Sequence, residues 1–145
     1  MPYSITWINS GAIVSFEGTL NFEIVKEVAG KLVENEYFDK LLFQVWDFRN
    51  ITNIAISQQE ALPSASLAKA STIWSGKQMV AILAKINPRI RAFFSIFESV
   101  MKMTDWKCAL FDDKKTIVRW LMAELGDDLI DSNPALLNDF RFIYY

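Results

Sequence analysis

The chain has 145 residues, 52% of them apolar and 22% charged, with 5 Gly and 4 Pro, a length and balance that fit one domain and exclude disordered, collagen-like and low-complexity classes. It contains no histidine, which excludes Ser-His-Asp and Cys-His nucleophilic sites, His-ligated zinc and proton shuttling by an imidazole. With 15 basic and 17 acidic residues the net charge is −2; this balance does not call for nucleic acid, and no apolar run reaches the ~18–20 residues of a membrane span.

Tyr3–Ile8 alternates with the period of a strand, Asn9-Ser10-Gly11 turns the chain, and Ala12–Glu17 resumes as a second strand, predicting a β-hairpin. Gly18-Thr19-Leu20-Asn21 is expected to break that strand and to supply helix caps. From there to Asn35, Ile24, Val25, Val28, Leu32 and Val33 recur at helical spacing. Leu41–Phe48 and Met79–Ala84 are apolar on both alternating faces, as befits central strands buried on two sides.

Between these strands, Ser57-Gln58-Gln59-Glu60 has the spacing of a capping box. The Ala- and Ser-rich helix that follows, as far as Trp74, contains Pro63, so it either kinks there or begins there with proline in its first turn. Its few large apolar residues, chiefly Leu62, Leu67, Ile73 and Trp74, predict the most weakly docked helix of the domain. Asn87-Pro88 starts the next helix, whose Ile90, Phe93, Phe94, Phe97, Val100 and Met101 form one apolar stripe. Lys107–Phe111 reads as a short strand, and Asp112 as the cap of a helix over Asp113–Leu125 that Gly126 closes. Residues 127–145 are acidic and then aromatic, ending Phe140-Arg141-Phe142-Ile143-Tyr144-Tyr145. Rings of this kind are expected to pack on their own domain or on a partner chain.

Charge is unevenly spread. Residues 1–68 carry four basic and eight acidic groups, residues 69–119 ten and four, and residues 120–145 one and five. The +6 of the middle block reads first as a solvated basic face and second as an anion or lipid-headgroup site. Cys108 is the single cysteine. It cannot form an internal disulfide and no secretory signal opens the chain, so a reducing cytoplasm is expected, with Cys108 buried and inert. Neither Asp112/Asp113 nor Asp127/Asp128 has the spacing of a metal loop or a glycosidase pair, and the glycines are scattered singly. No catalytic residue, metal site or cofactor is predicted.

The order ββαβαβαβα, with three local stretches, resembles the STAS domains, named for sulfate transporters and anti-sigma-factor antagonists, and within them the bacterial stand-alone SpoIIAA-like branch. Gly18-Thr19-Leu20-Asn21 is similar to that family's Gly-x-Leu-Asp turn, Trp46-Asp47-Phe48-Arg49-Asn50-Ile51-Thr52 to its strand end, and Leu110-Phe111-Asp112-Asp113 to its last strand-to-helix junction. The match spans roughly residues 3–125. It implies an α/β fold with a mixed sheet opened by a hairpin, helices mainly on one face, a domain over 1–126 and a tail over 127–145. It also implies a regulatory domain that binds a protein partner and has no enzymatic activity.

Phosphorylatable members of the family carry Asp-Ser at the start of the second helix. Counted from Asp47, those positions are Ala55 and Ile56, followed by Ser57, so the resemblance implies that the usual serine switch is missing, with Ser57 read as a cap. The partner-contact residues it implies are Asn50, Thr52, Asn53, Ser57 and Glu60. An alternative function is binding of a lipid or other small apolar ligand in a pocket like that of CRAL-TRIO proteins, lined by Trp74, Phe93, Phe94, Phe97 and Met101. Because helices on one face leave apolar strands bare on the other, the aromatic tail or a second copy of the chain is expected to cover that face, favouring a homodimer.

Overall fold

The computed structural model describes residues 2–8, 10–72 and 77–132, without the side chains of Gln58 and residues 127–132. The alternating N-terminal segment forms β1 (Tyr3–Ile8), which pairs antiparallel with β2 (Gly11–Asn21) through a turn in which Ser10 has φ +68°. Gly11 is required at that turn because a Cβ there would run into the Phe43 ring. Helix α1 (Phe22–Glu34) follows, then a 3₁₀ turn over Phe38–Lys40, β3 (Phe43–Ala55), α2 (Gln58–Ser71) and β4 (Met79–Leu83). The chain continues through α3 (Pro88–Met101), β5 (Lys107–Phe111) and α4 (Lys114–Ser132). The expected order of elements is therefore the observed one.

The sheet order is β1-β2-β3-β4-β5, and β2 to β5 are mutually parallel. Each crossover thus steps one strand in the same direction, and right-handed connections place α1, α2 and α3 on one face. There they bury Val28, Leu32, Ala61, Ile90 and Met101 against Ala12, Val14, Phe16, Val80 and Ile82. Helix α4 follows the last strand and takes the other face, where Ile117 and Leu121 are fully buried with Phe43, Val45, Met79, Ala81 and Leu83. This explains why Leu41–Phe48 and Met79–Ala84 are apolar on both alternating faces.

Four expectations are corrected. First, β2 does not end at Glu17. It runs on to Asn21 through register shifts between Ser15 and Glu17 and between Gly18 and Thr19, and Gly18 takes φ +76°, a conformation open to glycine at little cost. Second, β3 continues past Phe48 to Ala55, paired with the extended β2. Third, Asp113 rather than Asp112 caps α4: its Oδ1 accepts the Thr116 N–H at 2.8 Å. Fourth, Gly126 does not close α4, which passes through it to Ser132. A Cβ at Gly126 would meet nothing within 4 Å, so no packing constraint selects glycine there. The second face is covered at least in part by α4 and not by a tail or partner alone. The rest of the predicted tail, residues 133–145, and Trp74 lie outside the described residues.

Candidate functional site

Strands β2 to β5 all end at the same edge of the sheet, where the connections into α2, α3 and α4 begin. In open α/β sheets this is the edge that presents loops to ligands and partners. Here it carries a polar surface from the end of β3 into α2, with a groove beside it; an interior cavity lies behind α2 and reaches back to Gln44 and Val80 near the starts of their strands.

Asn50, Thr52 and Asn53 are exposed on the part of β3 that outruns β4. They are polar because this stretch pairs with β2 alone. Ala55 is exposed, whereas Ile56 is buried and joins the core under the helices. Ser57 caps α2: its Oγ accepts the Glu60 N–H at 3.2 Å, and Glu60 Oε1 accepts the Ser57 N–H at 3.1 Å and its hydroxyl at 3.2 Å. The capping box expected from spacing is therefore formed, and Pro63 sits inside the helix, which begins before it. Of the three positions counted to the family's switch, one is in the core and one is engaged at both backbone and hydroxyl.

Beside this surface a groove of about 250 Å³ runs between the end of β3 and the start of α3. Arg49, Lys85 and Arg89 line it, with Asn53 and Asn87, over a floor that includes Ile51 and Ile54. Arg89 donates to the Ile54 carbonyl oxygen. Arg49 is held by Asp47 through Nε to Oδ1 at 2.9 Å and Nη2 to Oδ2 at 2.8 Å, which raises its pKa through the hydrogen bonds to that carboxylate. On α4, burial and the Arg49 charge lower the Lys114 pKa, with Asp47 opposing them. Asp113 is lowered by the Thr116 backbone N–H and hydroxyl. These cations come from positions far apart in sequence; Lys85, Arg89 and Lys114 belong to the basic block over 69–119, and Arg49 lies outside it.

The cavity behind α2 has a volume of about 60 Å³. It exists because α2 turns Ser64, Ala68 and Ser71, all small, toward the sheet, where Trp46 and Phe48 stand opposite. Phe93 and Phe97 line it, as expected for the apolar-pocket alternative. Phe94 instead packs on Phe97 with ring centroids 6.3 Å apart, and Met101 is buried in the core; neither lines the cavity. Its polar mark is Gln44, whose Nε2 donates to Gln78 Oε1 at 2.7 Å and whose Oε1 accepts the Trp46 indole N–H at 2.9 Å. Gln78 in turn donates to the Phe38 carbonyl at 3.3 Å. This buried amide chain was missed in sequence, although a glutamine inside the apolar run Leu41–Trp46 is its signal.

Among the described residues no group of three or more Cys, Asp or Glu side chains is placed to hold a metal ion, and no helix is long and apolar enough to cross a membrane. No protein-family model matches the sequence, and no match is found among curated proteins. Solved structures do match. The anti-sigma factor antagonist SpoIIAA in its unphosphorylated form is 11% identical, with a TM-score of 0.51 over 81% of this chain and 96% of that one. An uncharacterized protein of the DUF3478 family with a SpoIIAA-like fold, from Shewanella loihica PV-4, is 14% identical, with a TM-score of 0.51 over 82% and 91%. The chain thus has a SpoIIAA-like α/β fold.

Proposed function

We propose that this chain is a non-enzymatic regulatory domain that acts by binding a protein partner at the edge formed by Asn50–Glu60, in the cytoplasm of a bacterium. The fold supports this reading, since the similar SpoIIAA is an anti-sigma factor antagonist. The observation that carries it is the state of the switch region: Ile56 is buried and the Ser57 hydroxyl is engaged in its capping box, while Asn50, Thr52 and Asn53 stand exposed beside them. Phosphate on Ser57 would have to break the capping box. Binding is therefore controlled by something other than phosphorylation at the family's position. Affinity capture with the full chain from its native cells, compared with a Thr52→Glu/Asn53→Glu variant, tests the reading. A partner retained by the native chain and lost by the variant supports it; no partner under any condition, or equal retention by both, contradicts it.

A second reading is favoured by the cavity. An apolar hollow under a helix docked through Ala and Ser suits a small apolar ligand. At about 60 Å³ it lies well below the ~300–1,000 Å³ of drug-sized ligand pockets, so a lipid would require α2 to lift. Native mass spectrometry of freshly purified protein supports this reading if a bound mass is retained and contradicts it if only the bare chain is seen.

A further inference from the structure

Strand β3 is longer than the neighbour it should share. It pairs with β2 along its length, as far as Asn21↔Ala55, but with β4 only from Phe43 to Asp47. Beyond Asp47, no described strand lies on the β4 side of β3, because the chain leaves β4 at Leu83 and Ala84 bonds across to Phe111. A strand without a neighbour presents free N–H and C=O groups, a template for pairing. On this side the Arg49 N–H is taken by Asp47 Oδ1 at 3.0 Å, and the Ile54 carbonyl by Arg89. The register shifts at Phe48–Arg49 and at Thr52 break the edge into short stretches, which limits any added strand to a few residues.

The groove of about 250 Å³ lies directly along this edge. Its charged lining residues are Arg49, Lys85 and Arg89, with no acidic side chain among them, in a protein whose net charge is −2. Phe48, Ile51, Ile54 and Ile90 also line it. Because side chains alternate along a strand, a segment laid against β3 would turn every second residue toward this apolar floor.

We propose that the edge of β3 from Arg49 to Ala55 accepts a short extended segment of the partner protein, in which carboxylates alternate with aliphatic residues. The segment adds as a strand on the β4 side. Its backbone pairs with β3, its carboxylates meet Lys85 and Arg89, and its aliphatic side chains meet Ile51 and Ile54. This rests on the partner-binding reading and specifies where and how the partner engages.

The test uses the full chain and a fluorescently labelled hexapeptide alternating glutamate with valine, followed by anisotropy. Saturable binding that weakens with salt is expected, about tenfold weaker for Lys85→Glu and for Arg89→Gln. A copy of the peptide methylated on alternate backbone nitrogens, with unchanged charge, is expected not to bind, and amide exchange over residues 50–55 is expected to slow only with the unmethylated peptide. No binding by about 1 mM overturns the proposal. Equal binding of the methylated peptide also overturns it, since charge alone would then be at work. The peptide arms do not depend on the variants' folding, which circular dichroism checks separately. If the peptide fails while the captured partner still binds, this proposal falls and the partner-binding reading stands.

Discussion

Asp47 and Arg49, two residues apart on β3, form a two-point ion pair at 2.9 and 2.8 Å, with the Asp47 side chain 11% exposed and that of Arg49 37% exposed. The register shift between β2 and β3 begins after Asp47, so the guanidinium folds back over the carboxylate where the strand departs from regular pairing. Removing the arginine leaves a buried carboxylate without its main partner, whereas removing the acid leaves a guanidinium that water can reach. Arg49→Ala is therefore expected to cost about 1–2 kcal/mol, screening by solvent keeping it at the low end, and Asp47→Asn less. The pKa of Lys114 should rise in Arg49→Ala and fall further in Asp47→Asn, because the Arg49 charge depresses it and the Asp47 charge opposes that. Denaturant unfolding and NMR titration of the lysine read both effects.

The chain Trp46–Gln44–Gln78–Phe38 is buried, with Gln44 and Gln78 only 4% and 1% exposed. Truncating one amide orphans the other. Gln78→Leu is expected to cost about 1–3 kcal/mol. Gln44→Leu/Gln78→Leu together should cost less than the sum of the single changes, by about 1 kcal/mol in a double-mutant cycle. Strict additivity would show that the two side chains act independently.

Ser57→Ala removes the oxygen that accepts the Glu60 N–H. Loss of a cap of this type costs about 1 kcal/mol, which for a domain of this size lowers Tm by about 3–5 °C. Differential scanning calorimetry on the variant reads this shift.

Burial pushes the Cys108 thiol up to about 12 from 9.0, with the Glu98 charge adding to it. A thiol with a raised folded pKa holds its proton where the unfolded chain would lose it. Its contribution to stability is therefore full below about pH 9 and is lost as pH rises from there toward about pH 12. Cys108 should resist thiol reagents at neutral pH until the protein unfolds. The alkaline loss of stability should shrink in Cys108→Ala, measured by urea unfolding from pH 8 to 10.5.

What could be read in the sequence was what local chemistry dictates. Val25, Val28 and Leu32 announce α1 by spacing, and Asn21, Ser57 and Asn87 cap their helices as their residue types require. Gly18 was misread because a bulge with positive φ inside a strand has the same local signature as a turn. Asn50, Thr52 and Asn53 fall beyond the strand expected over Leu41–Phe48 because the end of β3 has one strand neighbour and its side chains there are polar and exposed. Gly126 looked like a helix stop, since its position beyond the last apolar residue of the stripe is where stopping glycines usually stand. The groove was invisible for another reason: Arg49, Lys85 and Arg89 meet only through the crossover from β3 to β4. The cavity was half legible, in the Ser64, Ala68 and Ser71 spacing, but nothing local tells that Trp46 and Phe48 stand opposite.

Contact with a partner at the edge running from the end of β3 into α2 can be read site by site through photo-crosslinking in the native cell. A photoreactive residue is placed in turn at Asn53 and Gln59, both exposed at that edge, and at Lys107 at the opposite end of the sheet. One and the same crosslinked protein is expected from positions 53 and 59, and none of it from position 107. Crosslinks to that protein from position 107 alone, or no crosslink from any position, would contradict it.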